Sequence, residues 1–68
     1  MKVFQERVKE QRLLYGFTQR EMAEKLGISQ PSYIRYENGS AEPSQENLVK
    51  IAQLFDVSVD YLLGCADL

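Results

Sequence analysis

The sequence predicts an all-α fold of five short helices around one small core, and three observations carry that prediction. Helix start and stop signals alternate along the chain: Thr18, Ser29, Ser44 and Ser58 each precede a helical stretch, and Gly16, Gly27, Gly39 and Gly64 each follow one. Within the stretches, apolar residues recur at helical spacing. Nowhere do apolar and polar residues alternate as they would along a half-buried strand. The chain has 68 residues, which makes one domain over 1–68, since a fold of ~60 residues buries only about 60% of the surface its unfolded chain exposes.

The first helix is expected over residues 2–15, a stretch without Gly or Pro, with Phe4 and Val8 on one face and Leu14 or Tyr15 completing it. Gly16 ends it. Thr18-Gln19-Arg20-Glu21 is a capping box that opens a second helix, with Phe17 and Met22 placed as a hydrophobic staple. Met22, Ala23 and Leu26 line its inner face, and Gly27 stands where a left-handed residue closes a helix. Ser29 caps a third helix that tolerates Pro31 in its first turn, where the missing N–H does little harm. Tyr33 and Tyr36 share a face of that helix, and Asn38-Gly39 stops it. After the loop from Ser40 to Pro43, Ser44 caps a fourth helix whose Leu48, Ile51, Ala52 and Phe55 follow i, i+3, i+4, i+7. Ser58 caps a short fifth helix with Val59, Leu62 and Leu63 as its apolar positions, ended by Gly64.

Composition excludes several kinds of function. Histidine is absent and Cys65 is the single cysteine, so His-based acid–base catalysis, His or thiolate metal sites and an internal disulfide are not expected. The carboxylates are scattered, and no glycine loop has phosphate-cradling spacing, so no enzyme activity and no cofactor is expected. No apolar run approaches the ~20 residues of a membrane span, and the first residues are too polar for a secretory leader. A cytoplasmic location is expected, without membrane or small-molecule partners. The net charge is −2, but it is unevenly placed. Residues 1–38 hold seven basic and five acidic side chains, whereas residues 39–68 hold one and five. One half of the chain is thus suited to face phosphates and the other to face away from them.

The most informative stretch runs from Gln19 to Tyr36. Two short helices are joined by Gly27-Ile28-Ser29; Ala23 supplies a small residue where they approach, and Gly27 one that accepts a positive φ. Together these make a helix-turn-helix over about residues 18–37. Here the chain resembles the Cro/C1-type helix-turn-helix family of phage repressors and bacterial XRE-type regulators. The matching residues are Arg12, then Gly16-Phe17-Thr18-Gln19-Arg20-Glu21-Met22-Ala23-Glu24-Lys25-Leu26-Gly27-Ile28-Ser29, Arg35-Tyr36-Glu37-Asn38-Gly39, Pro43-Ser44 and Val57-Ser58-Val59-Asp60-Tyr61-Leu62-Leu63-Gly64. They cover about residues 5–64.

The resemblance implies a compact five-helix lambda-repressor-like DNA-binding domain with its helix-turn-helix at helices 2 and 3, the third helix entering the major groove of double-stranded DNA. It implies base readout by Gln30, Pro31, Ser32 and Arg35. A Gln amide matches adenine N6 and N7, an Arg matches guanine O6 and N7, and a Pro ring offers apolar contact to a thymine methyl. It implies phosphate contacts from Thr18, Gln19 and Asn38, with Arg12 and the Tyr33 hydroxyl as further phosphate candidates. It also implies an ion pair between Arg12 and Glu37. Three positions depart from the family pattern. Gln11 stands where an apolar residue is usual, Pro31 replaces a donor, and Ser40-Ala41-Glu42 replaces a loop that is basic in several phage repressors. These departures predict weaker phosphate anchoring and a shallower salt dependence.

A two-fold dimer reading two half-sites is expected. Val59, Tyr61, Leu62, Cys65 and Leu68 are its candidate interface, around a fifth helix at about 58–64, because the last dozen residues hold more apolar side chains than one short helix can bury. The expected function is a sequence-specific DNA-binding transcriptional regulator, a homodimeric repressor. The alternative is a protein-interaction module that kept the fold and lost specific DNA binding, which the acidic second half favours. The chain is either a whole regulator without an effector domain or the DNA-binding part of a longer repressor.

Overall fold

The computed structural model describes residues 2–66. Five helices follow in order, α1 (Lys2–Leu14), α2 (Gln19–Leu26), α3 (Gln30–Asn38), α4 (Gln45–Phe55) and α5 (Val59–Leu63), and the described residues contain no strand. None of these helices is long and apolar enough to cross a membrane.

The caps act as their residue types dictate. The Thr18 hydroxyl accepts from the N–H of Glu21, whose carboxylate accepts from the N–H of Thr18. Ser29, Ser44 and Ser58 each accept from a backbone N–H three residues on, so every helix from α2 to α5 starts with one of its free donors satisfied. Gly27 closes α2 in the left-handed conformation at φ 69°, with its N–H returned to the carbonyls of Ala23 and Glu24. The end of α4 has no glycine. Asp56 takes the left-handed conformation there, at φ 53°.

Phe4, Val8, Met22, Tyr33, Ile51, Phe55 and Leu62 form the fully buried centre, drawn from all five helices. The first helix departs from expectation. Leu14 is 80% exposed and the Tyr15 side chain lies at the surface, while Arg12 occupies the buried place one turn beyond Val8. An i, i+4, i+8 stripe of Phe4, Val8 and Arg12 therefore faces the core, and the apolar pair Leu13 and Leu14 faces out. Tyr15 packs its ring against Phe17 and Phe55 and donates its hydroxyl to the Phe55 carbonyl at 2.9 Å. This bond ties the end of α1 to the end of α4.

The start of α1 is fastened to α5 and the turn that follows it. The Arg7 guanidinium donates to the carbonyls of Tyr61 (2.5 Å) and Ala66 (2.7 Å) and lies over the Tyr61 ring. Val3 lies so close to Gly64 that a Cβ there would stand 2.9 Å from it. Gln11, unusual in its polarity, bonds the Tyr61 hydroxyl at 3.4 Å, so α1 meets α5 through polar groups as well as apolar ones.

Candidate nucleic-acid interface

The turn between α2 and α3 is held from both sides. Ala23 is nearly fully buried between the helices, and the N–H of Ile28 bonds back to its carbonyl at 3.0 Å. Tyr33 and Tyr36 bury the inner face of α3, their rings edge to face at 6.1 Å. The Tyr36 hydroxyl accepts from the Asn47 amide at 3.1 Å, which braces α3 against the first turn of α4. With its inner face fixed, α3 turns its other face to solvent.

That outer face carries Gln30, Pro31 and Arg35, all exposed. Ser32 is half-buried, and its hydroxyl is shared with that of the capping Ser29 at 2.8 Å. At the far end, Asn38 is exposed and folds its side-chain oxygen onto Ser40, accepting from the backbone N–H at 3.0 Å and from the hydroxyl. Its amide NH2 is the part left to meet a ligand. Thr18 is exposed beside its capping bonds, and Gln19 is half-buried. Thr18 and Gln19 line an open groove of about 540 Å³ between the end of α1 and the start of α2, together with Lys9, Leu13 and Phe17.

Behind this surface lies a buried polar cluster. The Glu37 side chain is 5% exposed and that of Arg12 10%. Arg12 Nε donates to Glu37 Oε2 at 2.6 Å and Nη2 to Oε1 at 3.1 Å, a fork-to-carboxylate pair, while Nη1 donates to the Phe17 carbonyl at 3.0 Å. The Tyr33 hydroxyl donates to Oε2, and Gln19 Nε2 donates to Oε1 at 3.2 Å. All four acceptor positions of the carboxylate are filled, by donors from α1, α2 and α3. Burial works against the charge on Glu37, but the bonds from Arg12, Tyr33 and Gln19 outweigh it and hold the carboxyl below its ordinary value. The bond to Glu37 likewise raises Arg12, against the opposing effect of burial. Burial first, and then the neighbouring carboxylate, push the Tyr33 phenol well above the usual tyrosine range.

This cluster corrects several sequence-based assignments. Tyr33 is completely buried with its hydroxyl spent on Glu37, so it offers nothing to a phosphate. Each nitrogen of Arg12 has a protein partner, so its guanidinium is a structural member of the cluster, as the expected ion pair with Glu37 implies; it also lines the groove, where one hydrogen each on Nη1 and Nη2 is left over. Gln19 has one amide hydrogen committed to Glu37. Sequence reasoning missed the link from Gln19 to Glu37, the brace from Asn47 to Tyr36 and the place of Lys9 in the groove. The centre of the cluster, the ion pair of Arg12 with Glu37, was expected and is present, and the i, i+4 spacing of Tyr33 and Glu37 on one helix hinted at a further part.

At the candidate dimer face, Leu62 is also corrected. It is completely buried among the core residues and has no surface to give a partner. Val59 and Tyr61 are half-buried, Cys65 is exposed, and Leu63 and Val3 add exposed apolar surface nearby. Leu68 lies outside the described residues.

A short, capped helix pair that presents a polar outer face from a braced core defines a helix-turn-helix domain of the lambda-repressor-like fold. A helix-turn-helix family model matches residues 8–62, and the chain belongs to that Cro/C1-type helix-turn-helix family. It is 48% identical over 61 residues to the uncharacterized HTH-type transcriptional regulator YqaE of Bacillus subtilis, a match covering 90% of this chain and 53% of the relative. It is 48% identical over 59 residues to the cryptic phage CTXphi transcriptional repressor RstR of Vibrio cholerae, covering 87% of this chain and 53% of RstR. The chain thus spans about half the length of the curated relatives it matches. Among solved structures, the P22 c2 repressor protein, in complex with a synthetic operator, superposes with a TM-score of 0.86 at 26% identity, covering 97% of this chain and 100% of the other.

Proposed function

We propose that the chain is the sequence-specific DNA-binding module of a transcriptional regulator, a dimeric repressor that acts in the cytoplasm on a two-fold-related operator. The observation that carries this reading is the outer face of α3: Gln30, Pro31 and Arg35 exposed together on a helix whose inner face is anchored by Tyr33 and Tyr36. Such a helix is rigid enough to read base edges and polar enough to pair with them. Its likeness to RstR, a transcriptional repressor, and to the P22 c2 repressor bound to an operator supports the same assignment. In this reading Gln30, Pro31, Ser32 and Arg35 contact bases. Thr18, Gln19 and the Asn38 amide contact the backbone, and Val59, Tyr61 and Cys65 lie at the dimer face.

Selection of bound duplexes from a random pool at about physiological salt tests the proposal. Enrichment of a two-fold-related motif, its half-sites about one helical turn apart, is the expected outcome. On the selected duplex, Arg35→Ala is expected to cost ~1–3 kcal/mol per half-site and to relax preference at one base pair. Equal losses on selected and random duplexes would make Arg35 a phosphate contact instead. A pool that shows no enrichment would remove the operator-binding function.

A further inference from the structure

We propose that Glu37 is a positioning residue for the DNA backbone contact: it fixes the rotation of the Gln19 amide, so that Gln19 Nε2 bridges the Glu37 carboxylate and one phosphate through its two hydrogens. The inference rests on the DNA-binding function proposed above and deepens it. A carboxylate only accepts hydrogen bonds, so only the NH2 end of Gln19 can face Glu37 Oε1 at 3.2 Å. A phosphate oxygen also only accepts. The second hydrogen on the same nitrogen is therefore the one donor the amide has left, and no other protein group among the described residues engages it. Gln19 lines the groove at the start of α2, where the capping box takes the N–H groups of Thr18 and Glu21 and leaves those of Gln19 and Arg20.

Two further features make the bridge workable. A buried carboxylate close to a phosphate would repel it, but Arg12 forks onto both oxygens of Glu37 and neutralises it. The carboxylate itself cannot swing, because Tyr33 holds Oε2 and Arg12 holds both oxygens. Glu37 belongs to α3 and Gln19 to α2, so the backbone contact and the base-reading helix share one rigid reference point. Gln19 touches the DNA, and Glu37 acts through it.

The test measures affinity of the full chain for a random-sequence duplex, where only backbone contacts count. Removing Glu37 alone would strand the Arg12 charge, so the cluster is replaced whole by the triple substitution Arg12→Met, Tyr33→Phe and Glu37→Met. The expected result is a loss of about tenfold, the same as for Gln19→Ala, with no further loss when the two are combined. Losses that multiply, or a triple variant that binds like the unmodified chain, would overturn the positioning role.

If the triple variant does not give a helical, cooperatively melting chain, nitrogen-15 NMR of the unmodified chain decides. The Gln19 side-chain NH2 signals are identified by their disappearance in Gln19→Ala. One proton is expected to be protected from solvent exchange in the free chain, and the other to become protected only on adding duplex. Two freely exchanging protons in the free chain, or a second proton unmoved by duplex, would overturn the proposal. An unmodified chain without salt-dependent affinity for any duplex would remove the DNA-binding function and this role with it, whereas binding with multiplying losses removes the positioning role alone.

Discussion

Glu37 concentrates more of the molecule's polar interactions than any neighbouring position, and its chemistry makes stability depend on pH. Its carboxyl is held below its ordinary value of 4.5 in the folded chain. The unfolded chain therefore takes up the proton first as pH falls. The stabilisation is present above pH 4.5 and is lost as pH drops through the lower folded value. Tyr33 works in the opposite sense. Its raised value stabilises the fold below pH 10.0, and that contribution erodes as pH rises beyond it. Denaturant midpoints measured across this range should be flat in the middle and fall at both ends. Tyr33→Phe should cost about 1–3 kcal/mol at neutral pH, because it leaves Glu37 Oε2 buried with one donor fewer, and it should lessen the alkaline decline. A midpoint unchanged by the substitution would mean that the phenol bond contributes nothing to stability.

Helix termini show most clearly what was legible in the amino-acid sequence. A cap is a local device, decided by residues three or four apart, so Thr18 with Glu21, Ser29, Ser44, Ser58 and Gly27 could each be placed without knowing the fold. The face of α1 was not legible even with the Arg12–Glu37 pair expected, because spacing alone favoured Leu14 or Tyr15 and nothing local shows that the pair is buried. For the same reason the Tyr33 hydroxyl was offered to a phosphate when it is turned inward onto Glu37, whereas the pairing of Arg12 with Glu37 was expected and is present. The exposed candidates, Gln30, Pro31 and Arg35, needed only the helix and its inner tyrosines to be placed. The end of α4 was missed because Asp56 is not the usual left-handed residue. Its substitution is informative: Asp56→Gly should stabilise by about 0.5–1 kcal/mol by relieving the positive φ. Gly27→Ala should destabilise by about 1–2 kcal/mol at a comparable φ, although nothing lies within 4 Å of the added methyl. Thermal melts of the two variants should move in opposite directions.

Across the whole molecule, charge and apolar surface divide the chain by role. Residues 39–68 carry five of the ten acidic side chains and only Lys50 as a base, so a duplex meets least repulsion on the side of α2 and α3. Arg20, Lys25 and Arg35 are the basic side chains of α2 and α3. Leu63 sits 36% exposed beside Cys65 at the end of α5, and Val3 adds 41% exposed apolar surface from the start of α1. Leu63→Asp should leave the helical signal intact, since Leu62 and not Leu63 fills the core. It should shift sedimentation toward the monomer and weaken binding to a two-half-site duplex far more than to a single half-site. An unchanged sedimentation profile would remove this surface as a dimer face.

The fastening of Val3 to Gly64 and of Arg7 to Ala66 brings the stretch from the start of α1 to the turn after α5 close to a closed ring. A ring can be joined at one point and opened at another without changing its contacts. The loop from Ser40 to Pro43 lies outside every helix and is a natural place for new ends. A permuted chain opened there would begin with the α4–α5 pair and finish with the helix-turn-helix, with α1 in the middle of the sequence. Joined but left uncut, the same chain would be a cyclic protein with less freedom to lose on folding.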